Sequence, residues 1–535
     1  MPSAIIIGSG PSAASVAICL ADKSDWKITV LDIGLDLEPN HRDARDRLST
    51  LPRERWARLD VLDISARPVA TSVSGLPEKR AYGSDYPFRD SGQLSPVAVE
   101  QGVNDALISG AYGGFSSVWG AQLLPFPDEA FESWPLAGAD LAPHYRAVLT
   151  AIPYAAADDD LATVLPLHAT PQTPMPLSPR AAAVDRRYRR HRVALNKKGL
   201  VLGRSRLAVR SDACIACGMC MTGCPYSLIY SAAHTFDDLR SRRRVDYHGG
   251  MVVVGLSEGP AGATVVARET ASGTERSFTA DRVFVGCGAV GTTRLVLGSL
   301  RRYGQDVVLK ESAQFVLPFV SFRSTGDPRY QSAHALGQLS AVIELSDVDE
   351  SQLHLQMYTY DPAFLDALPR LLQGRLAKPL LSSVLSRLSV GLGYLPSSAS
   401  PRLRIRLNAP TSESERAPLV ITRDGTSPDP RRLLRTLSRR LLSFAPPLDL
   451  WPVLPRLQLS APGKSYHWGG TFPHATSSSS DLTTDRLGRL SAWRRIHLVD
   501  AAVIPGFAST SFTLTVMANA HRIATEAVEL SEDRR

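Results

Sequence analysis

Residues 4–13 read Ala-Ile-Ile-Ile-Gly-Ser-Gly-Pro-Ser-Ala, and this stretch decides the fold. Four apolar residues in a row predict a buried strand, and the residues after them predict a turn into a helix. Gly8, Gly10 and Ala13 match the pattern G-x-G-x-x-G/A. The first glycine permits the tight turn, the second lets the backbone approach a pyrophosphate, and the alanine lets helix and strand pack closely. The N-terminus of the helix would then face the phosphate charge.

A second predicted strand, residues 28–31, ends at Asp32, 24 positions after Gly8. A carboxylate at this place can accept hydrogen bonds from ribose hydroxyls. The glycines alone are a weak signal. Their position between a strand and a helix, together with the acid at this spacing, predicts dinucleotide binding. The alternative is a tight turn in an α/β fold that binds no nucleotide.

Two further strand-turn-helix signals occur far along the chain, at residues 283–299 and 496–527. We therefore predict an α/β protein whose doubly wound Rossmann-like domain is built from discontinuous segments. This domain comprises residues 1–300 and 466–535, and residues 301–465 form a substrate-binding lobe with an antiparallel sheet and helices. Within the first part, a cysteine-rich segment spans about 205–235 and part of 130–200 could belong to the other lobe.

Four of the six cysteines, Cys214, Cys217, Cys220 and Cys224, have the spacing C-x2-C-x2-C-x3-C-P of bacterial ferredoxins. Thiolates this close together can wrap a compact iron–sulfur cluster, with a 4Fe-4S cluster favoured. Structural zinc or an empty ancestral motif are the alternatives. In two-cluster ferredoxins the fourth cysteine serves the other cluster, so a three-iron cluster without Cys224 stays open.

Composition and charge exclude some classes of protein. The chain is 44% hydrophobic and 21% charged, which is ordinary globular composition, and its net charge of +8 could favour an acidic redox partner, an anionic substrate or a membrane surface. The arginine clusters at 186–190 and 242–244 lack the aromatic interleaving of a nucleic-acid platform, so we predict no nucleic-acid partner.

Two features bear on location in the cell. The apolar stripe of residues 434–444 follows helical spacing with arginines on the other faces, and inward packing is favoured over a membrane surface. The first strand follows Met1 directly, which leaves no room for a secretory signal. We therefore predict a cytoplasmic protein.

Later motifs resemble those of the glucose-methanol-choline (GMC) oxidoreductases. Residues 113–120 are similar to the family's Gly/Ser/Trp segment beside the flavin, and residues 286–297 to its A-A-G-A-x-G-S/T-x-x-L-L segment. Residues 467–471 resemble the H-x-x-G-T block with the catalytic histidine, and residues 498–524 resemble the C-terminal FAD block. The blocks follow the family order over nearly the whole chain.

The resemblance implies that FAD is the cofactor. It would lie against the fingerprint and against residues of the later blocks: Gly113, Gly114, Ser116, Ser117, Trp119, Gly288, Asp500, Ala501 and Thr513.

The resemblance also implies His467 as the catalytic base, because a histidine with a pKa near neutrality suits the proton of an alcohol. The family's second catalytic residue, a His or Asn followed by Pro, aligns here with Ser511-Phe512. A hydroxyl is a poor base unless it is activated, so Ser511 is at most an assistant. We expect His474 in a surface loop and Cys287 as a small buried residue.

These features predict a dehydrogenase rather than an oxidase. An alcohol or sugar-like substrate would reduce FAD, and electrons would leave singly through the cluster to a ferredoxin-like or other protein carrier. Two alternatives stay open: a ferredoxin-fed flavin reductase of a carbonyl or alkene, and a non-catalytic flavin and cluster module for electron transfer. The identity of the substrate is not encoded in any motif of the sequence.

Overall fold

The computed structural model of the protein describes residues 1–65, 80–90, 97–104, 108–345, 351–359, 378–411, 416–476 and 480–532. Its strands, β1 to β20 in chain order, are Ser3–Ile7, Lys27–Leu31, Val97–Val99, Leu200–Arg204, Asp246–His248, Met251–Gly259, Gly262–Glu269, Glu275–Ala280, Arg282–Val285, Asp306–Glu311, Gln314–Val320, Leu339–Leu345, Ser351–Tyr358, Leu388–Tyr394, Arg402–Leu407, Leu419–Arg423, Trp451–Pro452, Gln458–Leu459, Trp468–Gly469 and Ile496–Leu498. Its helices, α1 to α10, are Pro11–Lys23, Pro39–Ser49, Arg58–Ser65, Gly138–Ala151, Pro179–Asn196, Ala232–Ser241, Ala289–Ser299, Lys378–Leu385, Arg431–Leu448 and Thr513–Glu532.

A five-stranded parallel sheet is formed in the order β20-β9-β1-β2-β5. Within it Ile5 lies opposite Thr29 on one side and Val283 on the other. The three strand-turn-helix segments of the sequence thus meet in one sheet, although hundreds of residues separate them. This confirms the predicted α/β fold class, with a parallel sheet built from discontinuous segments.

Helix α1 packs against the sheet and against α10 through small side chains. Ala13 and Ala17 are fully buried in one cluster with Ile523 and Ala527 of α10. Small residues let the two helices approach closely, which is the packing reason for alanine at position 13. The first and the last helix of the chain therefore share a core.

The predicted antiparallel sheet is also present, in the order β17-β11-β14-β13-β12-β4, and β18 pairs with β11 as well. Helices α5 and α9 pack on it, since Tyr188 and Leu437 belong to the same buried cluster as Phe315. Strand β4 precedes residue 300 in the sequence but pairs with β12. The lobe boundaries at 300 and 465 themselves stay a prediction.

The described residues form two smaller sheets as well. One has the order β19-β10-β15-β16-β3, and the other is the antiparallel meander β6-β7-β8. Strand β19 begins at Trp468 and pairs with the end of β10, where Glu311 lies opposite Trp468. This pairing fixes the backbone immediately after His467.

Helix α9 places its apolar stripe inward, with Leu437, Leu441 and Phe444 buried and Arg432 and Arg435 exposed. Its arginines therefore form a solvated outer face of the lobe. In the ranges that the structure describes, no helix is long and apolar enough to cross a membrane.

Buried histidines make the stability of this fold sensitive to acid. Burial lowers the pKa of several of them to about 3 or 4: His144, His334, His354, His467, His474, His497 and His521. In the unfolded chain they bind protons below a pH of about 6.5, whereas the folded state does not, so stability is lost as the pH falls below this value. Asp32, Asp500 and Glu311, whose pKa values burial raises, act in the opposite direction but are fewer.

We predict that the midpoint of thermal unfolding falls steadily between a pH of about 7 and about 5. Differential scanning calorimetry at constant ionic strength measures it. A midpoint that stays constant or rises on acidification would contradict the assignment of these histidines as buried and neutral.

Candidate functional site

A cavity of about 450 Å³ opens at the carboxyl ends of the parallel strands. Its wall includes the turn after β1, the end of β2, the segment before α7 and the loop after β20. Most of the residues proposed from the sequence lie on this wall: Gly8, Gly10, Asp32, Gly114, Ser116, Trp119, Gly288, His467, Asp500, Ala501, Ser511 and Thr513. Ala13, Gly113 and Ser117 do not line it, and their contacts lie within the surrounding fold.

Gly8 and Gly10 have different roles in the turn after β1. Gly8 has φ +96°, and a Cβ there would lie 2.5 Å from the carbonyl oxygen of Gly286, so only glycine fits. A Cβ on Gly10 would meet no atom within 4 Å, and Gly10 borders the cavity. The turn therefore needs glycine at position 8 for its own packing, and at position 10 it leaves room for a ligand.

The carboxylate of Asp32 is held by a small hydrogen-bond network. It accepts the hydroxyl protons of Ser9 (2.5 Å) and Tyr247 (2.8 Å). The Ser9 oxygen in turn accepts the N–H of Gly113 at 2.9 Å, which connects the fingerprint to the Gly/Ser/Trp segment. Burial raises the pKa of Asp32 to about 6, and these hydrogen bonds oppose the rise.

The Gly/Ser/Trp segment is fixed to the start of α6. Ser116 donates to the carbonyl of Gly113 at 2.5 Å and accepts the N–H of Ala232 at 2.9 Å. The indole of Trp119 donates to the carbonyl of Tyr230 at 2.7 Å. The segment thus presents backbone and the Trp119 ring to the cavity on a rigid support.

Asp500 holds the loop after β20 against α7. Its carboxylate accepts Thr292 Oγ1 at 2.5 Å and the N–H of Ala502 at 2.9 Å. Burial raises its pKa to about 6. The N-termini of α1, α7 and α10 all border this cavity, at Pro11, Ala289 and Thr513. Helix N-termini carry partial positive charge, so this wall suits an anionic ligand.

His467 also lines the cavity. Its ring stacks on Tyr394 with a centroid distance of 4.2 Å, and Phe512 meets it edge-on at 4.8 Å. Nδ1 is buried without a hydrogen-bond partner, which leaves Nε2 as the nitrogen open to the cavity. Burial lowers the pKa of His467 to about 3, so the imidazole is neutral and can accept a proton.

Ser511 lines the cavity but its hydroxyl is occupied, because it donates to the backbone carbonyl of Gln122 at 3.2 Å. The side chain of Gln122, which the sequence analysis missed, also borders the cavity and donates to Ser340 at 2.6 Å. Behind it lies His354 on β13, whose Nε2 is 3.5 Å from Gln122 Nε2 and whose proximity helps to lower the pKa of His467. Gln122, Ser340 and His354 come from different parts of the chain, so no local sequence spacing could have shown that they lie together.

The cysteine run forms a loop beside this cavity, which Met221 of the loop lines. The sulfurs of Cys214, Cys220 and Cys224 accept backbone N–H groups at 3.4 to 3.5 Å. Burial raises the pKa of Cys220 to about 12. Among the described residues, no group of three or more His, Cys, Asp or Glu side chains is arranged to hold a metal ion. The structure therefore does not support the predicted iron–sulfur cluster.

Two further expectations need correction. His474 is buried, not in a surface loop: it donates from Nδ1 to the carbonyl of Asp485 and accepts from the amide of Asn519. Its ring also lies against that of Trp134, with a centroid distance of 6.3 Å. Cys287 is not simply buried, since it lines the cavity between Gly8 and α7.

Comparison with known proteins gives a fold-level likeness. No family model matches the chain, and no curated protein matches it. Among solved structures, pyridoxine 4-oxidase from Mesorbium loti is 13% identical, with 99% of each chain covered and a TM-score of 0.60. A variant of formate oxidase from Aspergillus oryzae RIB40, solved to examine FAD modification, is 13% identical, with 99% of each chain covered and a TM-score of 0.61. At this identity, the likeness shows that the fold is shared over nearly the whole chain.

The two glycines of the turn give a matched pair of variants. We expect Gly8→Ala to lower the free energy of unfolding by about 2 kcal/mol or more, because alanine must adopt a left-handed conformation and its Cβ meets a carbonyl. Gly10→Ala should change it by less than about 0.5 kcal/mol. Urea denaturation of the ligand-free proteins compares them. Equal losses in both variants would show that the described turn is wrong.

Proposed function

We propose that the protein is an FAD-dependent oxidoreductase of the GMC type that oxidises the CH–OH group of an alcohol, sugar or polyol. The observation that carries this proposal is one cavity whose wall contains the Gly8 turn, Asp32 and a neutral His467. Pyridoxine 4-oxidase and formate oxidase, which share the fold, support it.

The residues present fit FAD. The volume of about 450 Å³ lies within the usual range of ligand pockets. Gly8 and Gly10 with the start of α1 would hold the pyrophosphate, and Asp32 would accept the ribose hydroxyls. Gly114, Trp119 and the start of α10 at Thr513 would border the flavin. When bound, FAD would supply hydride acceptance at its N5 atom.

The catalytic role of this chain is to hold the alcohol and take its proton. His467 Nε2 is open to the cavity and would accept the hydroxyl proton, which places the imino hydrogen of the neutral ring on Nδ1. Tyr394 and Phe512 fix the plane of the ring. Ser511 would contribute little, because its hydroxyl already donates to Gln122.

The proposed base is tested by anaerobic reduction of the bound flavin with a panel of alcohols, sugars and polyols in a stopped-flow instrument. His467→Gln should slow flavin bleaching about a hundredfold or more while the protein still binds flavin, because general-base catalysis contributes at least that factor. Ser511→Ala, at the other proposed residue, should slow it less than tenfold.

If the flavin bleached as fast in His467→Gln as in the wild type, His467 would not be the catalytic base. If no alcohol reduced the flavin but reduced ferredoxin did, a reductase of carbonyls or alkenes would be favoured. Transfer of electrons between protein partners that persists in His467→Gln, with no small-molecule substrate, would favour a non-catalytic module.

The electron acceptor forms the second part of the proposal. The ferredoxin spacing of Cys214, Cys217, Cys220 and Cys224 favours a dehydrogenase with a protein electron carrier. The occurrence of oxidases among the proteins with this fold favours oxygen instead. An iron–sulfur cluster, if bound by these thiols, would supply one-electron transfer.

Analysis of iron and acid-labile sulfide after anaerobic purification decides between a protein electron carrier and oxygen as the acceptor. The dehydrogenase proposal predicts iron and sulfide that Cys217→Ala abolishes, together with turnover on artificial one-electron acceptors that exceeds turnover on oxygen. Cys19→Ala, which removes a buried cysteine outside the run, is the control and should leave iron content unchanged. A protein free of iron that produces peroxide at the full rate of turnover would be an oxidase.

A further inference from the structure

Arg294 is a charged side chain on the cavity wall that neither the fingerprint nor the proposed reaction uses. It lies in α7 and borders the cavity together with Val253 of β6. Its Nη2 donates to the carbonyl of Val253 at 3.2 Å, and its Nε is buried with no partner. Among the residues that the structure describes, no carboxylate lies within ion-pair distance of it.

A buried guanidinium with so few hydrogen bonds destabilises the folded protein when no ligand is bound. Burial lowers the pKa of Arg294, which records the penalty on its charged form. An arginine nevertheless stays protonated in proteins, so the cost is carried by the ligand-free fold. One hydrogen bond to a carbonyl leaves most of its donors unused. A ligand with acceptor atoms or an aromatic face would offset the cost.

The position of Arg294 indicates which part of a dinucleotide it meets. The carbonyl of Asp32 accepts the N–H of Met251 at 2.8 Å, so the start of β6 lies beside the proposed ribose site. Val253 is two residues further along β6, and the guanidinium is hydrogen-bonded to it. In a dinucleotide the base lies on the far side of the ribose from the pyrophosphate. The guanidinium is therefore placed at the base, and Gly8 at the phosphates.

We propose that Arg294 binds the purine base of the adenosine half of the cofactor, by donating to its ring nitrogens or by lying against its face. This inference rests on the proposed function, because it takes the ligand to be FAD. It adds a base-recognising residue at a position that the G-x-G-x-x-G/A turn does not include. Arg294 contributes to affinity and to discrimination between bases, not to the chemistry at His467.

The test measures ligand binding to the FAD-free protein by isothermal titration calorimetry. The probes are FAD, ADP, adenosine and FMN, which lacks the adenosine half. Arg294→Met keeps the length of the side chain without the charge, and Arg294→Lys keeps the charge. Arg180→Met is the matched control, since Arg180 also has a buried Nε without a partner and donates to a carbonyl, that of Ser386, at 2.7 Å, but lies outside the cavity.

We expect Arg294→Met to weaken the binding of ADP and of adenosine by the same factor, about tenfold. The affinities of Arg294→Lys should lie between those of Arg294→Met and the wild type. Binding of FMN should not change, and Arg180→Met should bind all four probes as the wild type does. Unchanged ADP and adenosine affinity in Arg294→Met would overturn the inference. So would a loss confined to ADP, which would place the guanidinium at the phosphates.

The wild-type protein separates this result from the proposed function. If it bound neither FAD nor ADP, the proposed function would fail and the inference with it. If it bound FAD normally while Arg294→Met did so equally well, only the inference would fail.

Discussion

The close approach of Gly8 to the carbonyl of Gly286 is the contact on which the rest of the site depends. The turns after β1 and β9 can lie side by side only because position 8 has no side chain, since a Cβ would come within 2.5 Å of that carbonyl oxygen. Their proximity aligns the N-termini of α1 and α7 on one cavity, and Asp500 joins α7 to the loop after β20. Three segments separated by hundreds of residues thereby share one wall. The parallel sheet makes the strands point the same way, and glycine at position 8 allows the short distance between the turns after β1 and β9.

Charge in this cavity is arranged for a ligand and not for the empty fold. Asp32 and Asp500 are buried carboxylates whose pKa values are raised to about 6, and each is held by hydroxyl and backbone donors instead of a cation. Among the described residues no carboxylate pairs with the Arg294 cation, and His467 is neutral with one nitrogen open to the cavity. Polar groups placed in this way cost stability until a partner arrives. The same groups would give the proposed ligand site its specificity.

The sequence predicted the parts of the fold that depend on local spacing. The β1–α1–β2 unit, Asp32 and the return of distant segments to one sheet followed from apolar runs and glycine positions, which local sterics control. The side chains around His467 could not be predicted in the same way. Gln122 and His354 come from a loop and an antiparallel strand, and only tertiary packing brings them close to each other. Arg294, in the middle of a helix, borders the cavity for the same reason. The cysteine spacing predicted a cluster that the described structure does not support, because spacing along a loop does not determine where the sulfurs point.

Whether this cavity holds FAD, as we propose, is tested by the identity and amount of the cofactor released from the purified protein. The protein would be denatured, and the supernatant analysed by mass spectrometry and by flavin absorbance against protein concentration. We expect FAD at close to one molecule for each chain, and the same stoichiometry after removal and reconstitution. A protein that releases no flavin and takes up none when FAD is supplied in excess would contradict it.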